Sequence, residues 1–157
     1  MKKPIILILM LINGGLLLAQ SYLPTPSFSL PEEVKITAFL KLSPPLIELV
    51  AQVQVPKGSH IYSVNSQNGI LPTSLEAHKD SGLTPSSKTV ESEPERIFDE
   101  ALQKNIIAHK GVFELRRNFQ MPQKPLTGRQ RFFLNYQICD QRVCSLPRES
   151  HFEVVGP

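Results

Sequence analysis

Two consecutive runs of the chain alternate apolar and polar residues with a period of two. Val34, Ile36, Ala38, Leu40 and Leu42 share one side of the first run, and Leu49, Ala51, Val53 and Val55 one side of the second. A helix repeats every 3.6 residues and cannot hold such a series on one face, whereas successive strand side chains point to opposite faces of a sheet. The Ser43-Pro44-Pro45 break between the runs predicts a hairpin of strands 34–42 and 46–55. Nowhere is a 3.6-residue apolar period sustained over three turns, and residues 97–104 have room for one or two turns at most. The chain is expected to be all-β.

The remainder is punctuated every few residues. Pro56-Lys57-Gly58 is a turn signal, since proline fixes φ and glycine permits positive φ. Residues 60–64 form a short strand that Asn65-Ser66-Gln67-Asn68-Gly69 breaks, and 71–78 a weaker one. Residues 80–95, rich in Ser, Pro, Lys and Glu, are expected as exposed loop with a short edge strand at 88–90. A hairpin over 105–119 turning at Lys110-Gly111, a Pro-rich loop over 121–128, a strand over 129–139 and a closing strand over 151–155 complete the series. Within 129–139, Phe132, Leu134 and Tyr136 share one face, and Phe133 with Arg131 and Asn135 the other. Many short strands divided by Pro, Gly, Ser and Asn predict a β-sandwich.

At the amino terminus Lys2 and Lys3 precede an apolar stretch over 5–12, which resumes after Asn13-Gly14-Gly15 and ends at Ala19-Gln20-Ser21. A positive start, a short apolar stretch and a small-residue cleavage pattern are the parts of a secretory signal peptide, and the stretch falls short of the ~20 residues of a membrane span. Residues 1–21 are therefore expected to be a signal peptide, 22–31 a Pro-rich linker and 32–157 one folded domain. No stable membrane span is expected after cleavage. Beyond residue 21, 15 basic residues face 14 acidic ones, a net charge of +1. Nucleic-acid binding calls for a clustered basic face, and Arg116-Arg117 and Arg129/Arg131 are read instead as solvated strand residues.

The stretch YQICDQRVCSLPRE holds both cysteines of the chain, Cys139 and Cys144. In an exported chain two cysteines permit one disulfide, and the residues alone leave its use open. As a staple it closes six residues, worth roughly 2.2 kcal/mol in the chain-entropy model against ~4.7 for a 100-residue loop. As a metal site it lacks partners at pair spacing: structural zinc takes four Cys or His ligands, and His60, His78, His109 and His151 stand apart, expected on strand or loop surfaces. A two-thiolate Cu(I) site would need only the pair. As an exchange pair, an accessible short-loop disulfide has a labile potential, with Arg142 favouring a thiolate and Asp140 opposing it.

Three segments in order carry a resemblance: GSHIYS (58–63), FDEALQK (98–104) and the Tyr136-Gln137-x-Cys139-x4-Cys144-x-x-Pro147 element. Over about residues 28–156 the chain resembles the amino-terminal periplasmic domain of the thiol:disulfide interchange protein DsbD, in a stand-alone form. The resemblance implies an immunoglobulin-like β-sandwich in the periplasm whose cysteine pair relays reducing equivalents without a bound cofactor or metal. Its implied partners are thioredoxin-like redox proteins, among them disulfide isomerases and cytochrome c maturation thioredoxins, and a membrane electron carrier acting in trans. It implies that Cys144 forms mixed disulfides and Cys139 resolves them. His60 and Tyr62 would lie beside the pair, and Asp99 and Glu100 would begin a cap loop that shields it. Two features depart from the family: four residues separate the cysteines where its best-known members have five, and Ala101 and Leu102 stand where those members place an aromatic cap tip.

The competing reading is a secreted β-sandwich binding or adaptor module whose disulfide only shapes a loop. Hydrolase chemistry finds no Gly-x-Ser-x-Gly, HExxH or glycine-rich phosphate loop. The adjacent pairs Glu32-Glu33 and Asp99-Glu100 would point to opposite faces of a strand and make no acid/base dyad.

Overall fold

The computed structural model describes residues 30–67, 70–123 and 125–156, so the expected signal peptide and nearly all of the expected linker lie outside the described residues. The strands are β1 (Lys35–Ser43), β2 (Leu46–Gln54), β3 (His60–Tyr62), β4 (Ser74–Ala77), β5 (Thr84–Pro85), β6 (Val90–Glu91), β7 (Glu95–Asp99), β8 (Lys104–His109), β9 (Val112–Gln120), β10 (Arg129–Tyr136), β11 (Ile138–Cys139) and β12 (Arg148–Val155). Among the described residues the one helical element is a 3-10 turn at Lys79–Ser81. No helix there is long and apolar enough to cross a membrane.

The first two strands form the expected hairpin, with Lys35 opposite Gln54 and Ser43 opposite Leu46. On its other edge β2 pairs with β9, setting Ala51 against Leu115 and Val53 against Phe113. The short strands β5 and β6 continue this sheet beyond β9. A second sheet runs β12-β10-β4. Alternation on both sheets sends Ile47, Leu49, Ala51 and Val53 of β2 and Phe132, Leu134 and Tyr136 of β10 into one buried core. Burying a side chain of this size is worth about 1.5–3 kcal/mol, so the facing sheets hold the fold. Every ladder is antiparallel, and the assembly is an open β-sandwich.

A third sheet runs β11-β3-β8-β7 and is not legible as a unit in the sequence. The expected hairpin over 105–119 is not formed. Instead β8 joins the third sheet and β9 the first, so Lys110-Gly111 carries the chain between sheets. Gly111 does this at φ +64, and its carbonyl accepts a 2.7 Å bond from the Val55 amide. Apolar alternation is the same on either side of such a turn, so periodicity cannot separate a hairpin from a crossing. The hairpin lies one step earlier: β7 pairs with β8 from Glu95–Ala108 to Asp99–Lys104. Residues 97–99, allowed a helical turn from sequence, are therefore strand. The expected strand 129–139 likewise divides at Gln137, ending in the second sheet at Tyr136 and resuming in the third at Ile138.

Candidate functional site

Strand β3 is the pivot of the site. It pairs with β11 on one side, which sets Cys139 opposite His60, and with β8 on the other, which sets Tyr62 opposite Ala108. Beyond Cys139 the chain turns back tightly, so that Cys139 and Cys144 face each other as an antiparallel bridge. The Asp140 carboxylate shapes that turn by accepting bonds from the Arg142 amide at 2.7 Å and the Val143 amide at 2.8 Å, an Asx turn of the kind aspartate forms readily. The Arg142 amide first, then that of Val143, holds the Asp140 carboxyl below its ordinary range despite some burial. At the base of the loop the Ser145 amide donates to the Ile138 carbonyl at 2.8 Å.

Cys139 and Cys144 form a disulfide with their Cα atoms 4.0 Å apart. Cys139 is 0% exposed, whereas Cys144 is half-buried. Tyr62 points at both sulfurs: its hydroxyl oxygen lies 2.9 Å from Cys139 Sγ and 3.3 Å from Cys144 Sγ. The hydroxyl donates its single proton to Asp99 Oδ2 at 2.8 Å. His60 Nε2 lies 3.1 Å from the same oxygen, and Asp99 Oδ1 accepts the Leu102 amide at 2.9 Å. Burial alone would raise the Asp99 carboxyl; the Leu102 amide, the Tyr62 hydroxyl and His60 outweigh it and hold the group below its ordinary range. Burial first, and then the Asp99 anion, push the Tyr62 phenol well above its own.

The residues marked out from sequence thus divide into two sets. Cys139, Cys144, His60, Tyr62 and Asp99 meet in one cluster, buried at every member but Cys144. Glu100 and Leu102 occupy the turn between β7 and β8 at the rim, Glu100 exposed and Leu102 38% exposed. Leu102 reaches the site through its backbone. The apolar packing around Cys139 comes instead from Tyr62, Ile106 and Ala108, with Ile70 and Ile97 against them. Of these the sequence marks only Tyr62, because no local pattern sets off β7 or the crossing of β8 and β9 into different sheets. Beside the site lies a cleft of about 510 Å³ lined by Pro56, Gly58, His60, Phe98, Glu100 and Asp140 among others.

Two expectations about surface residues are corrected. His60 and His109 are buried, not on the surface, because each faces a buried carboxylate supplied by another strand. His109 Nε2 lies 2.7 Å from Glu91 Oε2, and Glu91 also accepts the Ser63 hydroxyl at 2.5 Å and the Val64 amide at 2.9 Å. Burial opposes ionisation of Glu91, but the bonds from His109, Ser63 and Val64 hold its carboxyl below the ordinary range. Glu91 thereby ties the edge of the first sheet to the residues that follow Tyr62. Arg117 is half-buried rather than solvated, donating to the Leu75 carbonyl at 2.6 Å and pairing with Glu76.

The donor atoms of His60, Asp99 and Cys139 lie within 4.8 Å of one another. Linear spacing could not show this, because the three residues sit on β3, β7 and β11.

No family model matches the chain, and no curated protein matches it. Among solved structures it is similar to the N-terminal periplasmic domain of ScsB from Proteus mirabilis, with a TM-score of 0.54 and 15% identity over 76% of this chain and 44% of that one. The chain thus spans less than half the length of that structure. It is also similar to the N-terminal domain of DsbD from Neisseria meningitidis in the reduced form, with a TM-score of 0.46 and 16% identity over 74% and 82% of the two chains. A chain from the aggregative adherence fimbriae of enteroaggregative Escherichia coli follows, with a TM-score of 0.36 and 14% identity over 78% and 97%. At these identities the likeness concerns the fold alone, and its conclusion is that this chain shares an open, antiparallel β-sandwich with the ScsB domain.

Proposed function

We propose that this chain is a periplasmic thiol-disulfide exchange domain that relays reducing equivalents between thioredoxin-like partners through Cys139 and Cys144, on an immunoglobulin-like sandwich. The observation that carries the reading is the asymmetry of the two sulfurs around one hydroxyl. Cys144 is half-buried and open to an incoming thiolate, while Cys139 is wholly buried with the Tyr62 hydroxyl 2.9 Å away. The fold shared with the ScsB domain supports the same reading, as does the signal-like amino terminus for export.

In the proposed reaction a partner thiolate attacks Cys144 Sγ. A partner–Cys144 disulfide forms, the Cys139–Cys144 bond breaks, and Cys139 leaves with the electron pair. Disulfide sulfurs carry no hydrogen, so the Tyr62 hydroxyl is the donor within reach of the leaving thiolate. Rotating its proton from Asp99 to Cys139 needs no movement of the backbone. The partner's second thiol then attacks the mixed disulfide and releases Cys144. The partner is oxidised to its disulfide, this domain gains two electrons, and the two protons given up by the partner thiols reach Cys139 and Cys144 through solvent. The reverse sequence reduces a downstream partner, with Cys144 attacking and Cys139 resolving.

The test is covalent trapping. Cys139→Ala lacks the resolving thiol, and its free Cys144 is expected to accumulate a mixed disulfide with a thioredoxin-like protein supplied in its disulfide form, whereas Cys144→Ala is expected to trap none. Absence of trapping by both variants would return the disulfide to the role of a loop staple in a binding or adaptor module.

A further inference from the structure

We infer that the reduced site is a zinc(II) site whose four donors are the Cys139 and Cys144 thiolates, the His60 imidazole and the Asp99 carboxylate. Three of these donors already lie within 4.8 Å of one another, and Cys144 Sγ is bonded to Cys139 Sγ until the disulfide opens. His60 Nε2 and Asp99 Oδ2 are 3.1 Å apart, close to the edge of a tetrahedron whose ligands stand ~2.0–2.1 Å from the ion. The Leu102 amide occupies Asp99 Oδ1 and so leaves Oδ2 as the ligand atom, the kind of outer contact that orients metal-binding carboxylates. His60 and Asp99 are buried, which keeps water from competing for them.

The donor set selects the ion. Two thiolates alone would suit Cu(I), but an imidazole and a carboxylate converging on them complete the tetrahedral sulfur, nitrogen and oxygen set that zinc takes. Binding is acid-base chemistry without electron transfer: the two thiols lose their protons to solvent, His60 gives up the Nε2 hydrogen it directs at Asp99 and takes the Nδ1–H tautomer, and both sulfurs, His60 Nε2 and Asp99 Oδ2 bond to the ion. The thiols must first be freed from the disulfide by a dithiol or phosphine reductant. Zinc would compete with partner disulfides for the Cys144 thiolate, so the ion would favour the reduced form of the domain and slow exchange.

Tyr62 opposes this site. Its hydroxyl oxygen lies 2.8 Å from Asp99 Oδ2, 2.9 Å from Cys139 Sγ and 3.3 Å from Cys144 Sγ, within the space that the ion would enter. Zinc must displace the hydroxyl, which makes Tyr62 the residue that keeps the dithiol free for exchange.

The inference requires that the disulfide open, but it requires no redox partner, so it can fail separately from the exchange reading. The protein, reduced by a phosphine and freed of it anaerobically, would be titrated with Zn(II) against a chromophoric chelator and with Co(II) as a spectroscopic probe. One ion per chain is expected, with Co(II) giving thiolate charge-transfer bands and the intense d–d bands of a tetrahedral site. His60→Ala and Asp99→Asn are each expected to weaken binding at least about tenfold, the lower end of what even outer-shell partners contribute. Tyr62→Phe is expected to tighten it. Should His60→Ala fail to fold, Asp99→Asn and the wild-type Co(II) spectrum decide. Reduced wild type binding no tighter than the Cys139→Ser/Cys144→Ser double variant would overturn the inference. So would His60→Ala and Asp99→Asn both binding like wild type, which would mean a plain dithiol chelate. Mixed-disulfide trapping that survives either result leaves the exchange reading standing.

Discussion

Asp99 and Tyr62, 37 residues apart in the chain, share a 2.8 Å hydrogen bond beside the disulfide. The bond joins the end of β7 to β3 and fixes two opposite protonation states in one buried site. Three donors keep Asp99 an anion, while burial and that anion keep Tyr62 protonated. The hydroxyl is the donor that a leaving thiolate at Cys139 would use; the Asp99 anion holds that hydroxyl in place, while its own charge disfavours the thiolate.

Tyr62→Phe keeps the ring and removes the donor. It is expected to slow reduction of the disulfide by a thioredoxin-like protein about 10–100-fold, the rate equivalent of one hydrogen bond to a charged group. Stopped-flow kinetics would measure it, and an unchanged rate would remove Tyr62 from the reaction.

The same pair predicts how stability depends on pH. Asp99 and Glu91 have folded-state pKa values below their ordinary ones, so their contribution is present above the unfolded carboxylate pKa of about 4 and is lost as pH falls through the folded values. Tyr62 is raised, so its contribution is complete below about pH 10 and is lost as pH rises towards the folded value. Urea denaturation across pH is expected to show a plateau with acid and alkaline limbs. Asp99→Asn should flatten the acid limb and Tyr62→Phe the alkaline one.

Much of the sandwich was legible because its strands alternate in the plainest way. The β1–β2 hairpin and the buried faces of β2 and β10 follow from period two alone. The third sheet was not legible, because its strands are short and two of them meet sheet crossings, at Gly111 and Gln137, where local pattern says nothing about the destination. The cluster of Cys139, Cys144, His60, Tyr62 and Asp99 came from a family resemblance rather than from spacing, since its members stand on strands far apart in sequence. For the same reason the pairing of His109 with Glu91 left no signal. Each residue alone resembles a surface strand or loop position, and only β6 and β8 bring them to 2.7 Å.

Glu91→Ala leaves the Ser63 hydroxyl, the Val64 amide and the His109 ring without their shared acceptor. Orphaning a buried donor costs about 1–3 kcal/mol, and the upper end is expected here because three donors lose one carboxylate. Equilibrium denaturation would measure it. A loss under about 0.5 kcal/mol, typical of a surface substitution, would mean that the contact holds nothing in place.

Opening the disulfide should cost little. Closing six residues is worth about 2 kcal/mol in the chain-entropy model, so the reduced protein is expected to stay folded, with a predominantly β circular dichroism spectrum. Unfolding on reduction would show a staple on which the fold depends.

The most direct test of exchange is the reaction of the wild-type disulfide itself. Reduced thioredoxin would be mixed with the oxidised protein and the Cys139–Cys144 thiols followed by alkylation and mass spectrometry. The exchange reading predicts reduction within seconds to minutes through a transient mixed disulfide at Cys144, and accumulation of that adduct when Cys139→Ala, whose Cys144 thiol is free, is mixed instead with oxidised thioredoxin. A disulfide that stays closed under excess reduced thioredoxin, with no adduct in either single variant, would contradict it.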